Sequence, residues 1–284
     1  TPPGHWNEIA HDLSARDGNR LDEDVKLFFA LNNALFDTSI AIWDAKYAYN
    51  YVRPQTAIRQ LFEGQTIEAW SGPNRNTDFI KGEEWQPYQE VTFVTPAFPE
   101  YTSGHSGFSY AAATILEAFT GTDILFDGES RGAYDLNNDG ELDYVGQWIT
   151  QNLAFEDYEG DPINLKWSTV WDAAEQAGES RLLGGIHIQD GDLRAREMGQ
   201  EIGSFVWNHS KSLFTQNDDN WIDILEANYP IKLGKGRDTV SGRLENLDGT
   251  EILDFTSEDK IEIKGDSLIS EQLSIRQGSA IITI

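Results

Sequence analysis

The sequence contains no cysteine, which excludes disulfides, thiol catalysis and Cys-ligated zinc; the fold must hold together without covalent staples. It is also poor in cations. Against 48 Asp and Glu stand only 21 Lys and Arg, a formal net charge of −27. Phosphate backbones are drawn to basic surfaces, so this balance argues against nucleic acid as a partner and suits a protein that meets salt, calcium or both. No window approaches the 18 or more continuous apolar residues of a membrane span, and no membrane partner is expected. No secretory signal opens the chain; "TPPGHWNEIA" reads as a point inside something larger, with upstream residues missing or cleaved away.

What is present is enough for a folded enzyme. The 284 residues allow one large core or two domains, and 39 % apolar content with nine Trp marks a globular protein. Residues 21–53 carry apolar side chains at three and four spacing (Leu27, Ala30, Leu31, Ala34, Leu35), acids in the first turn and Pro54 as a stop; the pattern predicts one long helix. Residues 60–100, rich in Gly, Pro, Asn and Trp, read as a long ordered loop region suited to site walls. Further helices are predicted at about 104–119, 166–184 and 191–209, and no strand alternation of note precedes residue 230. From about residue 231 short β-branched runs alternate with Gly, Asp and Ser turns, a second and β-rich unit.

Three short stretches carry chemistry. Lys46 and Arg53, seven apart, fall on one face of the predicted first helix. Ser103, Gly104 and His105 stand where a loop gives way to an Ala-rich helix, where exposed N–H groups favour an anion. Arg181 and His187 flank a glycine pair in "SRLLGGIH". Each has a plainer reading: a solvated helix face, a Ser103 helix cap, a surface salt bridge with a cap. Together, three fixed cations, a hydroxyl, a backbone donor and two imidazoles suit a compact tetrahedral oxyanion met by Arg forks.

In that order, "KYAYNYVRP", "PEYTSGHS" and "SRLLGGIH" resemble the three-part signature shared by vanadium-dependent haloperoxidases and type 2 phosphatidic acid phosphatases. The flanking "IWDAKYAYNYVRPQTAIR" and "TPAFPEYTSGHSGFS" are more similar to bacterial haloperoxidases, over roughly residues 1 to 210. The resemblance implies a mainly α fold, a helical bundle over 1–215 lacking its upstream helices, with a small β-rich tail over 216–284. It implies a vanadate cofactor bound through His187, its oxygens neutralised by Lys46, Arg53 and Arg181 and hydrogen-bonded by Ser103 and the Gly104 N–H. His105 would be an acid/base titrating near neutrality, Lys46 would polarise bound peroxide, and Trp43 and Phe98 would neighbour the halide. Hydrogen peroxide and halide would then give hypohalous acid, with bromide or iodide favoured over chloride. An N-terminal chain of the same precursor, or a second protomer, would supply the missing helices.

The chain departs from the pattern at two places. Where the family often has H-x3-D, position 191 is Gly, so Asp190 or Asp192 is expected to orient His187; Thr102 replaces the usual proline before Ser103. Two other readings stay open: an acid phosphatase with His187 as nucleophile and His105 protonating the leaving group, or a catalytically silent calcium-dependent structural or adhesive protein.

A calcium loop is also expected. "DLNNDGELD" sets Asp135, Asn137, Asp139, Glu141 and Asp143 at EF-hand-like positions around Gly140, although Gly146 stands at the twelfth position in place of the bidentate Glu. The tail, notably "DTVSGRLENLDGTEILDF" and "GSAIITI", resembles the end of haemolysin-type calcium-repeat proteins exported by type I secretion. That resemblance implies an extracellular protein whose export signal is C-terminal.

Overall fold

The computed structural model describes residues 2–90, 92–126, 146–150, 163–214, 221–224, 231–233, 236–242, 251–253, 255–256, 258–263, 273–276 and 279–282. Two compact units divide the chain, Thr1–Ser204 and Phe205–Ile284. The first is a mainly helical bundle. Its helices are α1 (Pro2–Asp17), α2 (Leu21–Tyr49), α3 (Pro54–Leu61), α4 (Gly104–Thr120), α5 (Val170–Leu183) and α6 (Gln189–Phe214), the last running past the unit boundary.

Helix α2 buries Leu27, Ala30, Leu31, Ala34, Leu35, Thr38, Ile42, Ala45 and Lys46, the three-and-four spacing read from sequence. The stretch Leu21–Leu61 is long and apolar enough to cross a membrane by length and composition; the buried face of α2 is that of a bundle's core helix. Each fully buried Leu or Ile contributes about 1.5–3 kcal/mol through apolar surface removed from water. Helix α4 lies between α2 and α6 and reaches both because glycines leave room. A Cβ on Gly107 would come 2.7 Å from Ile42 Cδ1, and one on Gly199 would run into the Gly107 carbonyl. Only backbone fits at these crossings.

The sequence reading needs correction at several element ends. The predicted 21–53 helix stops at Tyr49, where Asn50 turns left-handed (φ 50°) and its N–H caps the Lys46 carbonyl. Pro54 does not merely end a helix. It opens α3 at the first helical position, where its missing N–H costs nothing. Helix α1 was not foreseen, and α5 begins four residues later than expected, held by a capping box in which Thr169 and Asp172 exchange side-chain and backbone bonds.

Strands also precede residue 230. The 60–100 region holds an antiparallel hairpin of β1 (Thr66–Trp70) and β2 (Thr77–Lys81), and β3 (Gln147–Thr150) pairs antiparallel with β4 (Ile163–Lys166). Strand β2 is largely exposed and β1 only partly covered, so the period-two apolar signal of a half-buried sheet is weak there.

The second unit is β-rich, as its sequence texture implied. Strands β5 (Trp221–Ile224), β7 (Thr239–Gly242) and β9 (Lys260–Ile263) form one parallel sheet. A second sheet has the order β10 (Leu273–Arg276), β11 (Ser279–Ile282), β8 (Glu251–Leu253), β6 (Ile231–Lys232). From β5 to β9 the chain alternates between the sheets, so each turn adds one strand to each. Ile231, Leu233, Val240 and Ile252 form its core, with Ile222, Phe255 and Ile261 packed against them. The expected calcium ligands Asp135 to Asp143 lie outside the described residues.

Candidate oxyanion site

The cations reach one place from helix ends. Lys46 occupies the last turn of α2 and Arg53 the N-cap of α3; the left-handed turn at Asn50, not a shared helix face, sets their relation. Ser103 caps α4, its Oγ accepting the Ser106 N–H at 3.4 Å, as the plainer reading of this residue has it. Arg181 ends α5, and Gly185 (φ 68°) turns the chain so that His187 sits before α6. A Cβ at Gly185 would also press on the Trp85 ring at 3.1 Å and one at Gly184 would meet Gln89 Nε2 at 2.8 Å, so the glycine pair lets Trp85 and Gln89 pack against this turn.

Arg53 ties the pieces. Its Nε donates to the Phe98 carbonyl at 3.0 Å, Nη2 to Pro99 O at 3.3 Å, and Nη1 to Ile186 O at 2.9 Å while lying 3.1 Å from His187 Nε2. Lys46 Nζ donates to Pro99 O at 2.9 Å and Glu100 O at 3.0 Å. Phe98 lies beneath both cations, 5.2 Å from Lys46 Nζ and 5.0 Å from the Arg53 guanidinium carbon, and its ring meets Trp43 at 4.9 Å. Trp43 and Phe98 are each a little over one third exposed, so this aromatic wall faces solvent.

His187 is not oriented by Asp190 or Asp192, contrary to expectation. Its Nδ1 meets Glu100 Oε1 at 2.6 Å, and the Ile188 N–H donates to the same oxygen at 3.1 Å. Asp192, 1 % exposed, turns away to accept the Ser106 hydroxyl at 2.5 Å and to pair with Arg196 at 2.9 Å. Asp190 lies on an exposed turn beside Arg194. Ser106 Oγ stands 2.8 Å from Ser103 Oγ. Its one proton is committed to the Asp192 carboxylate, so Ser106 accepts in that contact and Ser103 is the donor.

The charges are out of balance. Burial first, then Arg53, pushes the Lys46 ammonium down to about 7 against the pull of Glu100. Burial lowers Arg53 to about 10 and also lowers Arg181. His105 falls to about 3, through burial, then the Arg181 and His187 charges; His187 is lowered as well, burial outweighing its Glu100 hydrogen bond. His105 is therefore neutral near pH 7, not the near-neutral titrant expected. Arg181 Nε is buried and has no hydrogen-bond partner among the described residues. Among the described residues, buried Lys46 and Arg53 and the half-buried Arg181 stand against the one buried carboxylate of Glu100, and with a guanidinium N–H left over they form a donor set that an oxyanion such as vanadate fits.

Glu100 and the Ser106–Asp192–Arg196 chain escaped the sequence reading. The signal for Glu100 was the glycine at 191, a missing side chain whose space another residue must fill.

The sequence matches the VCPO second helical-bundle domain family over residues 26–216. No curated protein matches. Among solved structures, a holo-type bacterial vanadium-dependent chloroperoxidase is similar with a TM-score of 0.58 at 22 % identity, covering 75 % of this chain and 42 % of that one. Its apo-type counterpart gives 0.60 at 21 %, with the same coverage. A bacterial vanadium-dependent iodoperoxidase gives 0.48 at 25 %, over 73 % of this chain and 39 % of that one. This chain thus spans under half the length of those proteins. The likeness to the chloroperoxidases is one of fold, and the family match takes in Lys46, Arg53, Ser103, Arg181 and His187 alike. The chain belongs to the VCPO second helical-bundle domain family.

Proposed function

We propose that this chain is the vanadate-holding part of a haloperoxidase that oxidises halide, bromide or iodide before chloride, with hydrogen peroxide to hypohalous acid. The observation that carries the reading is the under-compensated cation cluster of Lys46, Arg53 and Arg181, whose buried Arg181 Nε has no partner among the described residues. Vanadate, when bound, supplies a Lewis-acidic centre at which hydrogen peroxide becomes electrophilic toward halide.

The chain's own residues do the rest. His187 Nε2, which carries the lone pair while Nδ1 gives its proton to Glu100, would hold the metal in place of its contact with Arg53 Nη1. Lys46, Arg53 and Arg181 would neutralise the oxygens, the Gly104 N–H would donate to them, and the Ser103 hydroxyl would turn its proton from Ser106 toward them. His105 starts neutral, takes a proton at a ring nitrogen from incoming peroxide, and returns it to departing water. Trp43 and Phe98 form the wall past which halide approaches. The proposal extends to an upstream chain of the same precursor, or a second protomer, covering the exposed α2 side chains Phe36, Ile40 and Tyr47, and to secretion through the β-rich tail.

The test is halide-dependent peroxide consumption by the full chain with its upstream partner, with and without added orthovanadate. Vanadate-dependent turnover of bromide or iodide supports the reading. Phosphate-ester hydrolysis without peroxidase activity would establish the phosphatase instead.

A further inference from the structure

We propose that Glu100 is the residue that positions His187, and that it does so in the space a side chain at position 191 would otherwise occupy. A Cβ built on Gly191 falls inside van der Waals distance of Glu100 Oε1, 2.9 Å from Oε2 and 3.0 Å from Cδ. Glycine at 191 and glutamate at 100 are therefore one feature.

The tautomer follows from both sides of the ring. A guanidinium only donates, so the Arg53 Nη1 contact makes Nε2 an acceptor and leaves the proton on Nδ1. Glu100 Oε1 receives that proton's hydrogen bond at 2.6 Å and is steadied by the Ile188 N–H. The Glu100 side chain is 1 % exposed, so water does not compete for it. The same residue anchors more of the site: its N–H donates to Tyr51 O at 2.9 Å, and its carbonyl accepts Lys46. Ser103 N–H in turn donates to Gly191 O at 2.9 Å. The segment leading into α4 thus carries both the carboxylate that meets His187 and the main-chain carbonyls that meet Lys46, so one stretch of backbone relates His187, Lys46 and the Ser103 turn.

This inference rests on the vanadate reading for its affinity arm, and the tautomer arm is independent of it. In the anion-free full chain, imidazole 15N NMR of wild type is expected to show His187 protonated at Nδ1, and Glu100→Ala to lose that preference. Orthovanadate binding by calorimetry is expected to weaken about 10- to 100-fold in Glu100→Ala. Gly191→Asp alone, which sets two carboxylates against each other, should weaken it comparably. Glu100→Ala with Gly191→Asp should recover to within about tenfold of wild type, because the carboxylate returns to the same space. Glu100→Gln, which keeps the shape and an acceptor, should lose less than Glu100→Ala and stands in for it if that variant does not fold. An unchanged tautomer in Glu100→Ala, wild-type vanadate affinity in either single variant, or a double variant no better than Glu100→Ala would overturn the proposal. Wild type failing to bind vanadate while the tautomer result holds would overturn the proposed function instead.

Discussion

Replacing Lys46 by Met removes a buried ammonium and keeps most of its stem. The lysine is held down to about 7 in the fold against a usual 10.5. Below pH 7 it is charged in both the folded and the unfolded chain, and the fold carries the whole cost of burying the charge. Between about 7 and 10.5 the fold releases a proton that the unfolded chain keeps, so wild-type stability rises with pH by about 1.4 kcal/mol per pH unit. Two pH units above the folded-state value therefore give about 2.7 kcal/mol. Lys46→Met has no such slope. Relative to the variant, wild type should gain on the order of 2.7 kcal/mol in unfolding free energy on going from pH 6 to pH 9. The lost bonds to Pro99 O and Glu100 O cost the variant the same at both pH values, since a neutral amine still donates. Urea denaturation in vanadate-free and phosphate-free buffer measures the difference. A wild-type-minus-variant gap that stays constant between pH 6 and pH 9 would refute a penalised ammonium at this site, and with it the charge imbalance that calls for an anion.

Three more outcomes are expected. His105→Ala should bind orthovanadate within about fivefold of wild type but lose about 10²- to 10⁴-fold in peroxide turnover, because the imidazole moves a proton and does not hold the anion; equal losses in both, by calorimetry and steady-state kinetics, would contradict that division. Asp192→Ala leaves Arg196, whose side chain is 12 % exposed, without its buried counter-ion and should cost about 3–5 kcal/mol in urea denaturation; a cost below about 1 kcal/mol would mean the pair is solvated. Gly185→Ala forces a side chain into φ 68° and against Trp85, so it should destabilise by at least about 1–2 kcal/mol, read as a lowered Tm; an unchanged Tm would show that this turn relaxes freely.

Local signals along the chain determined much of this protein. The apolar spacing of α2, the Ser103 cap and the turn chemistry of the β-rich tail act over a few residues, so composition and period alone encode them. The residue types of the candidate site, Lys46, Arg53, Ser103, Gly104, His105, Arg181 and His187, stand out in the sequence because a tetrahedral oxyanion needs such donors whatever the fold. Their geometry does not. Lys46 and Arg53 both reach Pro99 O because Asn50 turns left-handed and ends α2 before Pro54 opens α3, so the two cations stand on separate helices. Glu100 reaches His187 across 87 positions, and Asp192, adjacent to the expected place in sequence, points instead to Ser106. The titration of His105 was decided last of all, because desolvation and the fields of Arg181 and His187 exist only once the chain has closed around them. A sequence lists which groups are available; burial and distance, which set their charge and their partners, belong to the folded molecule.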